Sequence, residues 1–140
     1  MSKSQALKHF SKPLKAEFEK FLGLEVIRVT QDFALVRLPF RKEFTNPHNS
    51  LHGGAIVSLA DTASAIALST RYEDGKFFTT KFIIEFKKQA KSDCFAEARI
   101  KDIKKRFYFI ETKIYDIDED LIAIAEATFF VPNKISDISR

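Results

Sequence analysis

The stretch NPHNSLHGGAIVSLAD, residues 46–61, decides how this chain is read. Its first part is rich in turn formers: Asn46, Pro47, His48, Asn49 and Ser50 all favour local side-chain or left-handed solutions over regular structure. Its second part opens a helix. From Gly54 to about Thr70, the residues Ile56, Leu59, Ala60, Ala63, Ile66 and Ala67 trace one apolar stripe at helical period, and the alanines allow close approach of neighbours. Such a helix is expected to be largely buried, entered from a loop that spans residues 41–51.

Outward from that helix the pattern changes period. On the C-terminal side, residues 77–86, 94–103, 107–117 and 121–131 alternate like strands, with breaks at 89–93, 104–105 and 118–120. Four consecutive strands suggest an antiparallel meander. On the N-terminal side, residues 25–30 and 33–40 read as a hairpin turning at Gln31 and Asp32. Further out, Leu7, Phe10, Leu14, Phe18, Phe21 and Leu22 recur at three- and four-residue spacing over 4–22, a helix bent near Pro13 and stopped by Gly23. The sum is an α+β architecture, a long antiparallel sheet wrapped around a central helix, with an extra N-terminal helix. One domain over residues 1–140 is expected, with 1–23 as a helical extension.

Composition is consistent with that plan. The 140 residues are 45% hydrophobic, with 15 Phe, three Tyr and no Trp, which suits a broad interior with few buried aromatic groups needing polar partners. The single Cys94 cannot form an internal disulfide, and no leader-like segment stands before the domain, so a cytoplasmic setting with Cys94 as inert packing is expected. Charges interrupt every apolar run before the length of a membrane span. A net charge of +4 is compatible with nucleic acid, but acids interleave with the bases, so anionic small ligands fit equally well and no nucleic-acid partner is expected.

Chemistry concentrates at the helix start. Gly53 and Gly54 leave backbone N–H groups bare where a helix begins, and such an end attracts developing negative charge. Those donors suit the oxyanion of a tetrahedral intermediate at a thioester carbonyl; by themselves they suit tight packing as well. Asp61 adds weight. It shares a face with Val57, Ser64, Ala65 and Leu68, none of which offers a salt bridge, so its carboxylate has either a structural hydrogen bond or a chemical role. From Gly53 to Asp61 is eight residues (61 minus 53), about 12 Å at 1.5 Å per residue, beyond the reach of one carboxylate. If both ends act on one carbonyl, Asp61 must come from a second copy across a two-fold axis.

These residues resemble the hotdog-fold acyl-CoA thioesterases, in particular the phenylacetate-pathway (PaaI-like) branch, over about residues 33–131. The family's Asn falls on Asn46, its His and two glycines on His52, Gly53 and Gly54, and its catalytic acid on Asp61. The resemblance implies that the Gly53 and Gly54 region polarises the thioester, that Asn46 and His52 hold the loop and help place substrate or water, and that Asp61 attacks or activates water. Thr79 falls where members carry a water-orienting Ser or Thr. The chain departs from the pattern at Asn49, where relatives often have Gly and where Asn tolerates a left-handed backbone. It departs again at Lys104, Lys105 and Arg106, where a Gly often precedes the basic residue of a hairpin turn.

The resemblance further implies acyl-CoA as substrate, no cofactor beyond the coenzyme A of the substrate, no metal, and a homodimer that can pair into a tetramer. Arg106, Lys105 and Lys81 are the candidates for the phosphates of coenzyme A. His48 and His52 lack acidic or sulfur partners at zinc-ligand spacing. Phe77, Phe78, Phe82 and Phe86 are candidate walls of the acyl pocket. A noncatalytic acyl-CoA-binding regulator would share every motif except the need for Asp61 chemistry.

Overall fold

The apolar stripe at 56–67 becomes the buried face of a 17-residue helix, α2, Gly53–Ser69. The computed structural model describes Leu14 and residues 16–132. The helical stretch expected over 4–13, with its bend at Pro13, lies outside the described residues. What is described of the first helix is α1, Glu17–Leu22, closed by Gly23 at φ 69°, whose N–H returns to the Lys20 carbonyl. The strands are β1 Glu25–Thr30, β2 Phe33–Leu38, β3 Phe78–Phe86, β4 Cys94–Lys104, β5 Phe107–Tyr115 and β6 Leu121–Phe130.

All six strands form one antiparallel sheet in the order β1-β2-β4-β5-β6-β3. The expected meander of four successive strands is therefore corrected: only β4, β5 and β6 follow one another, and β3 lies at the far edge against β6. Alternation tells which face a side chain takes, and is silent about which strand lies beside it. After β3 the chain runs back past the loop before α2, where the Leu51 N–H donates to the Ala90 carbonyl at 2.8 Å. It then enters the middle of the sheet.

The sheet receives the helix through small side chains. Ala96 and Ala98 of β4 and Ala123, Ala125 and Ala127 of β6 are buried beneath Leu59, Ala60, Ala63 and Ala67 of α2. Alanine facing alanine brings backbone layers close and leaves the larger Leu38, Ile110, Ile114 and Phe129 to fill the periphery. A polar contact crosses this layer: Ser64 Oγ donates to the Ala60 carbonyl at 2.8 Å, so the Thr112 hydroxyl, 2.9 Å away, donates to Ser64. Both hydroxyls are fully buried and both are satisfied.

The far end of α2 is tied to the β1–β2 turn. Asp32, at φ 62°, donates its N–H to Thr70 Oγ1 and accepts two hydrogen bonds from Arg71, at 2.7 and 2.8 Å. Beside it the Tyr72 and Tyr108 hydroxyls share a short hydrogen bond, with their rings edge to face at 5.5 Å. Cys94 is buried, and burial pushes its thiol up to about 12. Among the described residues, no helix is long and apolar enough to cross a membrane.

Among the described residues, strand β3 is an edge of the sheet with no strand on its outer side, nine residues long, with Phe78 54%, Ile83 48% and Phe86 50% exposed. A long apolar edge of this kind is a template for another strand.

Candidate active site

The loop ahead of α2 is organised by one amide. Asn46 Oδ1 accepts from the His48 N–H at 2.9 Å, the Ser50 N–H at 3.3 Å and the Ser50 hydroxyl at 3.1 Å. Asn49 takes a left-handed backbone at φ 60°, which Asn tolerates where most residues do not. The loop is clamped at its exit, because the His52 N–H donates to the Phe44 carbonyl at 2.8 Å.

His52 is the N-cap of α2. Its Nδ1 accepts from the Gly54 N–H at 2.8 Å, which leaves Nε2 as the ring's proton-bearing nitrogen and free to donate outward. One of the two glycine donors is therefore occupied. The Gly53 N–H has no hydrogen-bond partner among the described residues and sits at the positive end of a long helix. Gly53 opens onto a cleft of about 430 Å³, lined among others by Asn46, Leu51, Ile56 and Phe86. A Cβ on Gly53 would lie 3.4 Å from the Phe86 ring, so the missing side chain keeps this donor accessible beside an aromatic wall.

Asp61 lies two turns along α2 and is half-buried. Its Oδ1 accepts a 2.7 Å hydrogen bond from Thr79 Oγ1 of β3. The neighbouring Thr80 donates instead to the Thr128 carbonyl at 3.1 Å, so the two adjacent threonines have different tasks. A β-bulge between Thr79 and Lys81 separates them, and such a bulge re-aims side chains. Asp61 is not among the residues lining the cleft at Gly53.

The candidate pocket phenylalanines also divide. Phe86 lines the cleft, Phe82 is half-buried against the core, Phe77 packs edge to face on Phe129, and Phe78 meets the half-buried Phe130 ring edge to face. Of the basic candidates, Lys81 is exposed on the outer face, lining a shallow cavity with Lys101 and Lys104. Lys105 turns the β4–β5 hairpin in a left-handed conformation, φ 57°, where a Gly would sit without strain. Arg106 donates to the Pro132 carbonyl. Within one chain these bases are not gathered at the cleft; Lys87 and Lys88 line it instead, the first paired with Glu85 and the second with Asp116 and Asp120.

One residue near Asp61 escaped the sequence reading. Glu19 of α1 is half-buried, and desolvation raises its carboxyl above the ordinary value; the Ala16 N–H works against that rise and the negative charge of Asp61 adds to it. On an amphipathic helix it reads as a solvated surface acid, and no spacing rule would have linked it to residue 61.

Three comparisons bear on this geometry. An inferred esterase of Saccharolobus solfataricus is 29% identical over 118 residues, covering 82% of this chain and 77% of that protein. The acyl-coenzyme A thioesterase PaaI of Escherichia coli is 40% identical over 52 residues, which span only 37% of either chain. The solved structure of that E. coli PaaI protein superposes with a TM-score of 0.80 at 22% identity, covering 93% of both chains. The fold is thus that of the hotdog proteins, a sheet around a central helix, as the resemblance implied. The family described as a domain of unknown function, DUF4442, matches residues 9–131, and the chain belongs to that hotdog-type family.

Proposed function

We propose that the protein is an acyl-CoA thioesterase, releasing a free acid and coenzyme A at a site completed by two chains. The observation that carries this reading is Asp61, a carboxylate on a helix face of small apolar residues, held at 2.7 Å by the Thr79 hydroxyl. A purely structural Asp would be expected to satisfy the backbone or pair with a base; this one is oriented by a single hydroxyl that touches one of its two oxygens.

The chemistry follows from the parts. The thioester carbonyl lies against the open Gly53 N–H, where the helix dipole favours the oxyanion, and the Gly54 N–H keeps His52 in place. Asp61 either adds to the carbonyl, expelling the thiolate and leaving an anhydride that water cleaves, or takes a proton from water as it attacks. Because Gly53 and Asp61 are separated along one helix, the Asp61 of the partner faces the Gly53 of the first chain. The unpaired β3 edge, which carries Thr79 and ends at Phe86, is the surface on which we place the two-fold contact. Lys81 and Lys105, with Arg106 at the hairpin, are proposed to meet the phosphates of coenzyme A at the rim of the assembled site. Pairing of dimers into a tetramer and a cytoplasmic setting complete the proposal.

The test is complementation. Gly53→Ala and Asp61→Asn each place a lesion in both sites of their own dimer. A mixed dimer concentrates both lesions in one site and leaves the other intact, so refolding the two variants together should restore a substantial part of wild-type thiol release from acyl-CoA. No restoration in a demonstrated mixed dimer refutes the composite site. Binding of acyl-CoA by the wild type with no thiol release would make the protein a noncatalytic acyl-CoA binder.

A further inference from the structure

Phe86 ends the edge strand, and its ring stands end-on to the helix start that carries the oxyanion donor. A Cβ on Gly53 would lie 3.4 Å from Phe86 Cζ, 3.8 Å from Cε1 and 4.0 Å from Cε2, so the tip of the ring is the part that faces Gly53. The backbone that carries the ring is fixed on both sides. Phe86 pairs with Ala123 of β6, and the N–H groups of Lys87 and Lys88 both donate to the Ile122 carbonyl, at 2.7 and 3.3 Å. The ring is 50% exposed and forms one wall of the cleft. Beneath it the cleft is closed, because Leu51 and Ile56 are each 3% exposed and Ala90 is fully buried. The rest of the lining is polar, with Asn46, Ser50, Gln89 and the two lysines.

We propose that Phe86 is the specificity-determining residue of the site: it admits acyl groups whose α-carbon is an unbranched methylene and rejects those that carry a branch there, whatever their length. This inference rests on the thioesterase reading and deepens it by naming the substrate class. With the carbonyl oxygen on the Gly53 N–H, the carbonyl carbon lies one bond outward, and its other substituents are the sulfur and the α-carbon. The sulfur leads to the amides of the pantetheine arm, which belong with the polar lining. The α-carbon leads to the apolar side, made by Leu51, Ile56 and Phe86. There the space between Gly53 and the ring tip is one carbon deep: a carbon at the Cβ position already touches the ring at ordinary contact distance, and a second in line overlaps it. A methylene fits that space and a branched carbon does not. The ring yields only by leaving its rotamer, since the backbone on either side is held. Carbons farther along the chain have passed the ring, so Phe86 reads substitution and not length.

The experiment measures kcat/KM for thiol release from butyryl-CoA, its branched isomer isobutyryl-CoA, and hexanoyl-CoA. It compares the wild type, Phe86→Ala, Phe86→Leu and, as a control, Phe95→Leu, whose position on β4 alternates with the buried Cys94 and Ala96 and so faces away from α2. In the wild type the straight chain is expected to exceed its branched isomer by about tenfold or more, the scale on which a hydrophobic wall discriminates a single carbon. Phe86→Ala should cut that preference by at least about fivefold while moving the hexanoyl-to-butyryl ratio by less than about twofold. Phe86→Leu should fall between the two, and it decides the matter if the alanine variant does not fold. Phe95→Leu should keep both ratios. A wild type that cleaves both isomers equally, or a folded Phe86→Ala that keeps the wild-type preference, overturns the role of Phe86 and leaves the thioesterase reading standing. Absence of thiol release from every acyl-CoA in the wild type overturns both.

Discussion

Thr79→Val tests the carboxylate clamp with little else disturbed. Valine keeps the β-branching that suits a strand and nearly the same volume, so β3 and its register against β6 should be preserved. What disappears is the Oγ1 donor 2.7 Å from Asp61. Hydrogen bonds to charged groups contribute about 1.5–3 kcal/mol. Asp61 is half-buried and can recruit water in place of the hydroxyl, so the lower part of that range applies. A loss of about 1.5–2 kcal/mol in transition-state stabilisation corresponds to a fall of roughly 10–30-fold in kcat/KM.

The loss should appear in kcat, because Thr79 touches the reacting carboxylate and not the acyl chain. Thiol release from an acyl-CoA, followed with a chromogenic thiol reagent at saturating and limiting substrate, measures both constants. Thr79→Ser, which restores the hydroxyl, should recover most of the activity. Thr80→Ala removes a hydroxyl bonded to the Thr128 carbonyl and should leave kcat near wild type. If Thr79→Val stays within about threefold of wild type while folding normally, the argument from charged hydrogen-bond energies fails and Asp61 is held by something else.

Two further predictions follow from separate parts of the chain. Gly53→Ala places a methyl at ordinary contact distance, 3.4 Å, from Phe86, so the fold should keep or slightly raise its melting temperature while thiol release falls; a fall in melting temperature without loss of activity would contradict the accessible-donor argument. Asp32 is held below the ordinary carboxylate value chiefly by its hydrogen bond from Arg71, so its contribution to stability is complete above the unfolded value and is lost as pH falls through the lowered folded value. Wild type should therefore lose stability below about pH 4 more steeply than Asp32→Asn, by less than about 1 kcal/mol because the pair is partly exposed. Thermal melts across that range measure it, and parallel curves would sink the reasoning.

Much of the fold was legible because its signals are local. The stripe Ile56, Leu59, Ala60, Ala63, Ile66 and Ala67 is buried as its spacing required, and Asn49 occupies the left-handed position that its side chain tolerates. The position of β3 was not legible. Its alternation puts Phe82 and Ile84 on the inner face, which Thr79 joins through the bulge before Lys81, yet the same alternation would serve a strand beside β4 or beside β6. Strand order depends on where residues 87–93 travel, and that path is set by contacts with the loop before α2, such as the one between Leu51 and Ala90. The hairpin at Lys105 was hidden for a related reason: a Lys at φ 57° is held there by the strands on either side, against its own preference.

The same distinction explains which site residues a sequence can reveal. Gly53, Gly54 and Asp61 lie on one helix, so their separation can be worked out from its rise, and it calls for two chains if both ends act on one carbonyl. Thr79 reaches Asp61 from a strand 18 residues ahead (79 minus 61), and its approach is a property of packing. Asp61 therefore sits where α2 meets β3, beneath a hydroxyl that donates to it. A carboxylate left alone on that helix would be a weak base with no fixed orientation. Thr79 supplies the orientation, which the chemistry proposed for Asp61 requires.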